Sequence, residues 1–162
     1  MDKDDLLAQL IAHLQASARD ARQAMEEATV EAREGATPAE KREDSRVALE
    51  QSSLAAGHKA RLSRAMADLA MLEGFAPKRL TGKARVALGA VVEVECDDAG
   101  RTFFLAPVGA GIELTGPGGD GYLSVVTPSS PFGRAVLGCV VGDTVEVKAG
   151  GEVREWTVSF VE

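Results

Sequence analysis

The sequence predicts an α+β protein in which a long antiparallel coiled-coil hairpin precedes a small, mostly antiparallel β-domain with one short helix. Heptad spacing runs through the first part of the chain, and alternation with a period of two begins near Val86. Only three of the 17 glycines lie before residue 75. This shift in composition divides the chain into a hairpin at 1–75, a linker at 76–83 and a β-domain at 84–162.

Apolar or small residues of the first segment follow one another at alternating steps of four and three, the spacing of a helix that packs lengthwise on another. The positions are Leu7, Ile11, Leu14, Ala18, Ala21, Met25 and Ala28. A second segment has nearly the same rhythm at Leu54, His58, Leu62, Ala65, Leu69 and Leu72. Gly35 suits the end of one helix and Thr37 the start of the next, so the helices should pack antiparallel with a tip near 35–44.

Alternating residues in the last part of the chain predict strands near 92–94, 102–106, 112–114, 122–127, 144–148 and 155–161. Trp156, Val158 and Phe160 share one face of the last strand, which makes them core candidates. Ser130 and Pro131 are typical of a helix start, and they predict a short helix that continues to about Leu137.

Charge and composition exclude several classes of function. A net charge of -7 and a pI of about 4.9 argue against direct electrostatic binding to duplex DNA, so any nucleic-acid role should be indirect. Cys96 and Cys139 lack the spacing of metal ligands, and we expect them to be core thiols of a cytoplasmic protein. The first residues do not have the build of a signal peptide, and no apolar run approaches the ~20 residues of a membrane span.

One segment of the β-domain carries a family resemblance. The run Ser-Pro-Phe-Gly-Arg-Ala-Val-Leu-Gly at 130–138, followed by Val-Gly-Asp at 141–143, resembles the C-terminal signature of the Gre family of bacterial transcription elongation factors. The resemblance implies an FKBP-like β-domain that docks on RNA polymerase while the hairpin enters the secondary channel, and we expect a monomer. The implied docking residues are Ser130, Pro131, Phe132, Gly133 and Arg134.

The same resemblance implies a role for acidic residues at the hairpin tip. Family members carry an acid-x-x-acid-Asn motif that helps the polymerase hold a second Mg²⁺ and cleave its own backtracked RNA, so the factor is not itself an enzyme. This chain keeps acidic residues at Glu40, Glu43 and Asp44, and it has no cofactor of its own in this interpretation. It departs from the motif by placing Asp44 where the asparagine belongs, by lacking the following Glu-Tyr, and by adding Lys41 and Arg42.

Other interpretations stay open. Thr37 and Glu40 have the spacing of a capping box, and Glu43 and Asp44 would be favoured at a helix start by the helix dipole. The protein could then be a non-cleaving inhibitor or initiation regulator of the same channel, as anti-Gre factors and DksA-like proteins are. A coiled-coil adaptor with no polymerase role is the third alternative.

Overall fold

The computed structural model describes residues 2–34, 44–81, 83–97, 99–116, 119, 121–149 and 151–162 of the 162-residue chain. Two long helices come first, α1 (Lys3–Glu34) and α2 (Asp44–Leu72). The remaining elements are β1 (Val91–Cys96), β2 (Ala99–Leu105), β3 (Glu113–Thr115), β4 (Tyr122–Val126), α3 (Pro131–Val136), β5 (Thr144–Ala149) and β6 (Glu152–Val161). The predicted α+β class, a helical hairpin followed by a sheet with one short helix, is confirmed.

Contacts divide the chain into two compact units. The hairpin unit is His13–Ala70, and the sheet unit combines Met1–Ala12 with Met71–Glu162. The first turns of α1 belong to the sheet unit because Leu6 and Leu10 are fully buried there. The Leu10 side chain covers the α-carbon of Gly109, where a Cβ would lie 2.5 Å from its Cδ1 atom. This division therefore differs from the one at residues 76–83 that composition suggests.

Polar contacts also join the start of α1 to the sheet unit. The Gln9 amide donates to the Thr115 carbonyl over 3.1 Å, and its oxygen accepts from the Thr115 N–H over 2.8 Å. Lys3 is buried and donates from Nζ to the Lys78 carbonyl over 2.7 Å. Burial lowers the pKa of the Lys3 ammonium, while the nearby Glu162 carboxylate opposes that shift.

The predicted heptad positions, which form the seam along which the two helices pack, are confirmed as buried only in part within the hairpin unit. Leu14, Ala18 and Ala21 of α1 and Ala65 of α2 are buried at seam positions. The prediction is wrong at Leu54, whose side chain is 60% exposed. Nearer the start of the chain, Leu7 and Ile11 are only half-buried, because α1 turns Leu6 and Leu10 inward there.

The strands form one sheet in the order β3-β4-β2-β1-β6-β5 among the described residues. Its pairs are antiparallel except β2 with β4, which is parallel and joins Phe103 to Ser124. The core between α3 and the sheet is apolar, and its largest members are Phe103, Leu105, Phe132 and Trp156. The short helix α3 therefore covers one face of the sheet.

The last strand corrects one predicted core residue. Trp156 and Val158 are buried as predicted, but Phe160 is 38% exposed and Val161 is buried instead. The pairing of β6 with β1 shifts between Glu93 and Val94, so that Glu93 faces Phe160 while Val94 faces Val158. This β-bulge inserts one extra residue and reverses the alternation, which turns Phe160 outward.

Candidate functional site

The predicted docking segment begins as an N-cap. Ser130 has extended backbone angles, and its Oγ accepts from the Gly133 N–H over 3.1 Å. The same hydroxyl donates to the Thr127 carbonyl over 2.7 Å. Pro131 occupies the first turn of α3, where its missing N–H would have no partner in any case. Ser130 and Pro131 therefore fix the place where α3 begins.

Gly133 is required by a close approach of two backbone segments. A Cβ at this position would overlap the carbonyl oxygen of Thr127. That oxygen already accepts from the Ser130 N–H over 2.9 Å, so it is held in place. Because backbone atoms cannot move away cheaply, any side chain at Gly133 would displace α3 from the 127–130 turn.

Phe132 points into the core. Its side chain is only 8% exposed, and its ring centroid lies 5.9 Å from that of Phe103. The Trp156 ring approaches it edge-on, with 5.2 Å between the centroids. These are favourable geometries for aromatic pairs. Phe132 therefore anchors α3 to the sheet. It would contribute to docking by holding its exposed neighbours Pro131 and Arg134 in place.

Pro131 and Arg134 are exposed on α3. Within the described part of the chain, the Arg134 guanidinium takes part in no ion pair. The docking residues implied by the family resemblance therefore fall into two groups. Pro131 and Arg134 point outward, while Ser130, Phe132 and Gly133 hold the helix that carries them. Their docking role itself stays a prediction.

Arg101 of β2 also belongs to this region, although it was not among the site residues predicted from the sequence. Its Cζ atom lies 5.4 Å from the centroid of the Phe132 ring and 5.9 Å from that of Trp156. Such distances are those of cation–π contacts. The available signal was the period of two in β2, which places Arg101 on the same face as Phe103.

The acidic tip residues fall at the edge of what the structure describes. Glu40 and Glu43 lie outside the described residues, and Asp44 is the first residue of α2. In the first turns of α2, Arg46 forms an exposed ion pair with Glu50, with 3.8 Å between Nε and Oε1. Elsewhere in the described ranges, no three His, Cys, Asp or Glu side chains are grouped closely enough to hold a metal ion.

The two cysteines are free and half-buried, and both pack against the core beneath α3. Burial raises the pKa of the Cys139 thiol, and the Asp143 carboxylate adds to the rise. Cys139 is therefore a poor nucleophile at neutral pH. Among the described helices, none has the length and apolar character needed to cross a bilayer.

Comparison with known proteins places the β-domain in a sequence family. The family described as "Transcription elongation factor, GreA/GreB, C-term" matches residues 81–162. A structure of the transcription factor Gfh1 is 23% identical over 94% of this chain and 92% of that chain, with a TM-score of 0.41. Gfh1 of Thermus aquaticus is 22% identical over 93% and 92% of the two chains, also with a TM-score of 0.41. Gfh1 of Thermus thermophilus, GreA factor homolog 1, is 22% identical over 94% of each chain, with a TM-score of 0.40. No curated protein sequence matches the chain.

Proposed function

Because the chain belongs to the GreA/GreB family of transcription elongation factors, we propose that it binds bacterial RNA polymerase as a monomer, docks through its sheet unit and inserts its hairpin into the secondary channel. The observation that carries this proposal is the family match over residues 81–162. The helical hairpin ahead of the matched region supports it, because the part of α1 within the hairpin unit, at 13–34, has 22 residues and extends about 33 Å.

The docking half of the proposal is supported by the way the sheet unit holds its exposed residues. Pro131 and Arg134 lie on a helix whose start is fixed by the Ser130 cap and whose inner face is fixed by Phe132. A surface that is rigid before binding loses less conformational entropy when a partner arrives. We therefore assign Pro131 and Arg134 to direct contact, with Ser130, Phe132 and Gly133 as residues that position them.

The protein would act as an accessory factor in the cytoplasm, and the chemistry would belong to the polymerase. We propose that Glu40, Glu43 and Asp44 carry the hairpin's contribution to cleavage of backtracked RNA. Carboxylates are the ligands that Mg²⁺ prefers. A second Mg²⁺ in the polymerase would supply charge stabilisation and an activated water for phosphodiester cleavage.

The second candidate function is inhibition without cleavage, and the observation that favours it is the pair Lys41 and Arg42 between the acidic residues. Two cations at the tip oppose the recruitment of a further cation. A hairpin that fills the channel without supporting the metal would block nucleotide entry. Both functions use the same docking surface, so they differ only in what the tip does.

Amide substitutions at the tip separate the two functions. If the carboxylates serve the metal, polymerase with the triple variant Glu40→Gln, Glu43→Gln, Asp44→Asn should cleave its backtracked RNA at least about 100-fold more slowly than polymerase with the wild type. Its polymerase affinity should stay unchanged, since the loss of helix capping costs no more than about 1 kcal/mol. The measurement is the length of RNA in purified backtracked complexes with the full-length protein.

A matched control removes three charges from exposed positions on α1, through Asp20→Asn, Glu26→Gln and Glu31→Gln. Polymerase with this variant should cleave backtracked RNA as fast as polymerase with the wild type. Neutralising Lys41 and Arg42 to glutamine should raise the cleavage rate if the acids are functional. Wild-type protein that binds polymerase, slows synthesis and never shortens backtracked RNA would contradict the cleavage role and favour inhibition.

A further inference from the structure

The face of the sheet opposite α3 is only partly covered. The core beneath α3 contains Val94, Trp156 and Val158, so the residues that alternate with them along β1 and β6 project from the other side of the sheet. On that other side, Val91 and its partner Phe104 are fully buried. Farther along β1, and on β6 and β5, the same side is open to solvent.

Carboxylates dominate this open area. Glu146 lies directly opposite Glu155, and Glu95 lies directly opposite Thr157. The hydroxyl oxygens of Thr157 and its partner Thr144 are 3.2 Å apart, so the side chains of paired residues meet on this side. We call this area the acidic sheet face and define it by four carboxylates, those of Glu93, Glu95, Glu146 and Glu155.

The charge of the acidic sheet face is not balanced within the described residues. The acids in the ion pairs of those residues are Glu50 and Glu152, and neither belongs to this face. The strand pairings place one cation on it, Lys148, so carboxylates outnumber cations by four to one. No described group of three His, Cys, Asp or Glu side chains is close enough to hold a metal ion, which argues against a metal as the occupant.

A face that is merely solvated does not account for two of these features, although antiparallel sheets often leave one face in water. Like charges directly opposite each other destabilise a sheet, and Glu146 and Glu155 form such a pair. Phe160 is 38% exposed and lies opposite Glu93. An arginine would relieve both, because its guanidinium pairs with carboxylates through its edge and stacks on an aromatic ring through its face.

We propose that the acidic sheet face binds an extended protein segment rich in arginine and lysine, as a second interaction surface distinct from the one at α3. Charge complementarity selects this partner and rejects nucleic acid, whose phosphates the carboxylates repel. The two surfaces are on opposite sides of the sheet, so the basic segment can be held while α3 docks on the polymerase. The inference goes beyond the proposed function and does not need it to be correct.

The test is a fluorescence anisotropy titration of a labelled synthetic peptide, in which arginine alternates with threonine, with the full-length protein. An extended peptide of this pattern presents its arginines on one side, at the same spacing as alternate residues of a strand. The triple variant Glu95→Gln, Glu146→Gln, Glu155→Gln should bind it at least about tenfold more weakly, because three charged contacts are lost. Phe160→Ala should weaken binding by about two- to fivefold, through loss of the stacked ring.

The matched control removes the same amount of charge from exposed positions on α1, through Asp20→Asn, Glu26→Gln and Glu31→Gln. It should change the affinity for the peptide by less than about twofold, since attraction between distant exposed charges is screened by salt. Thermal unfolding followed by circular dichroism separates binding from folding. The triple variant of the acidic sheet face should unfold at the same temperature as the wild type or a higher one, because the like-charged pair is gone.

Each outcome decides the role of the acidic sheet face. An equal loss of affinity in the triple variant and the control would assign the binding to net charge and overturn the inference, as would a wild type that does not bind the peptide. Peptide binding should persist in saturating core RNA polymerase, and displacement by the polymerase would overturn the claim of a separate surface. Failure of the wild type to bind core polymerase would remove the proposed function and leave the peptide result standing.

Discussion

Phe132→Ala is expected to lower the free energy of unfolding of the sheet unit by about 3–5 kcal/mol. The side chain is 8% exposed and contacts the rings of Phe103 and Trp156, so its removal leaves a cavity at the centre of the core. Arg101 would also lose one of its two aromatic partners. Trp156 is the only tryptophan in the chain, so its fluorescence during denaturation with urea reports on this unit.

Val153→Ala provides the control for Phe132→Ala. Val153 lies on β6 and is 59% exposed, so its truncation should change stability by no more than about 0.5 kcal/mol. A loss below about 1 kcal/mol for Phe132→Ala would contradict the account of Phe132 as an anchor. The residue would then be free to contact a partner directly.

Gly133→Ala is expected to lower the free energy of unfolding of the sheet unit by about 3 kcal/mol or more. This is the upper end of the range for inserting a methyl group into a packed interior. The new Cβ would overlap the Thr127 carbonyl oxygen, which two hydrogen bonds from Ser130 hold in place. Relief would require α3 to move away from the turn, and the Ser130 cap would then be lost as well. Binding to polymerase should weaken along with stability, because Pro131 and Arg134 move with the helix.

Gly100→Ala is the matched control, because Gly100 lies in β2 of the same unit and a Cβ there meets no atom within 4 Å. Alanine in this strand should be neutral or should stabilise by up to about 1 kcal/mol, since it restricts the unfolded chain. If both variants unfold at the same urea concentration, the close approach at Gly133 does not contribute to stability as proposed. Urea unfolding followed through Trp156 provides the comparison.

Local signals in the sequence predicted the start of the short helix α3 correctly. Ser130 and Pro131 marked the start of α3 because capping depends on a few adjacent residues, and the structure places the helix at Pro131–Val136. The strands were also found near their predicted positions, since alternation is a property of each segment by itself. The heptad positions of α1 are confirmed as buried from Leu14 to Ala21, and heptad spacing is also a local property of a segment.

Features that depend on distant parts of the chain were not predictable in this way. Phe160 turns outward because a bulge in the pairing of β6 with β1 reverses the alternation, and no residue of β6 signals it. The parallel pairing of β2 with β4 depends on how the segment between them folds. Arg101 acquires its place beside Phe132 only when β2 and α3 meet across the core. Glu40 and Glu43 lie outside the described residues, so their role stays a prediction.

Competition for core RNA polymerase shows whether this protein occupies the site that a GreA/GreB factor occupies. The full-length protein, labelled with a fluorophore, would be titrated with core polymerase and then displaced with an unlabelled GreA/GreB factor of established cleavage activity. We expect saturable one-to-one binding that the competitor abolishes, because both proteins would occupy the secondary channel and the same docking surface. An absence of binding, or binding that persists in saturating competitor, would contradict it.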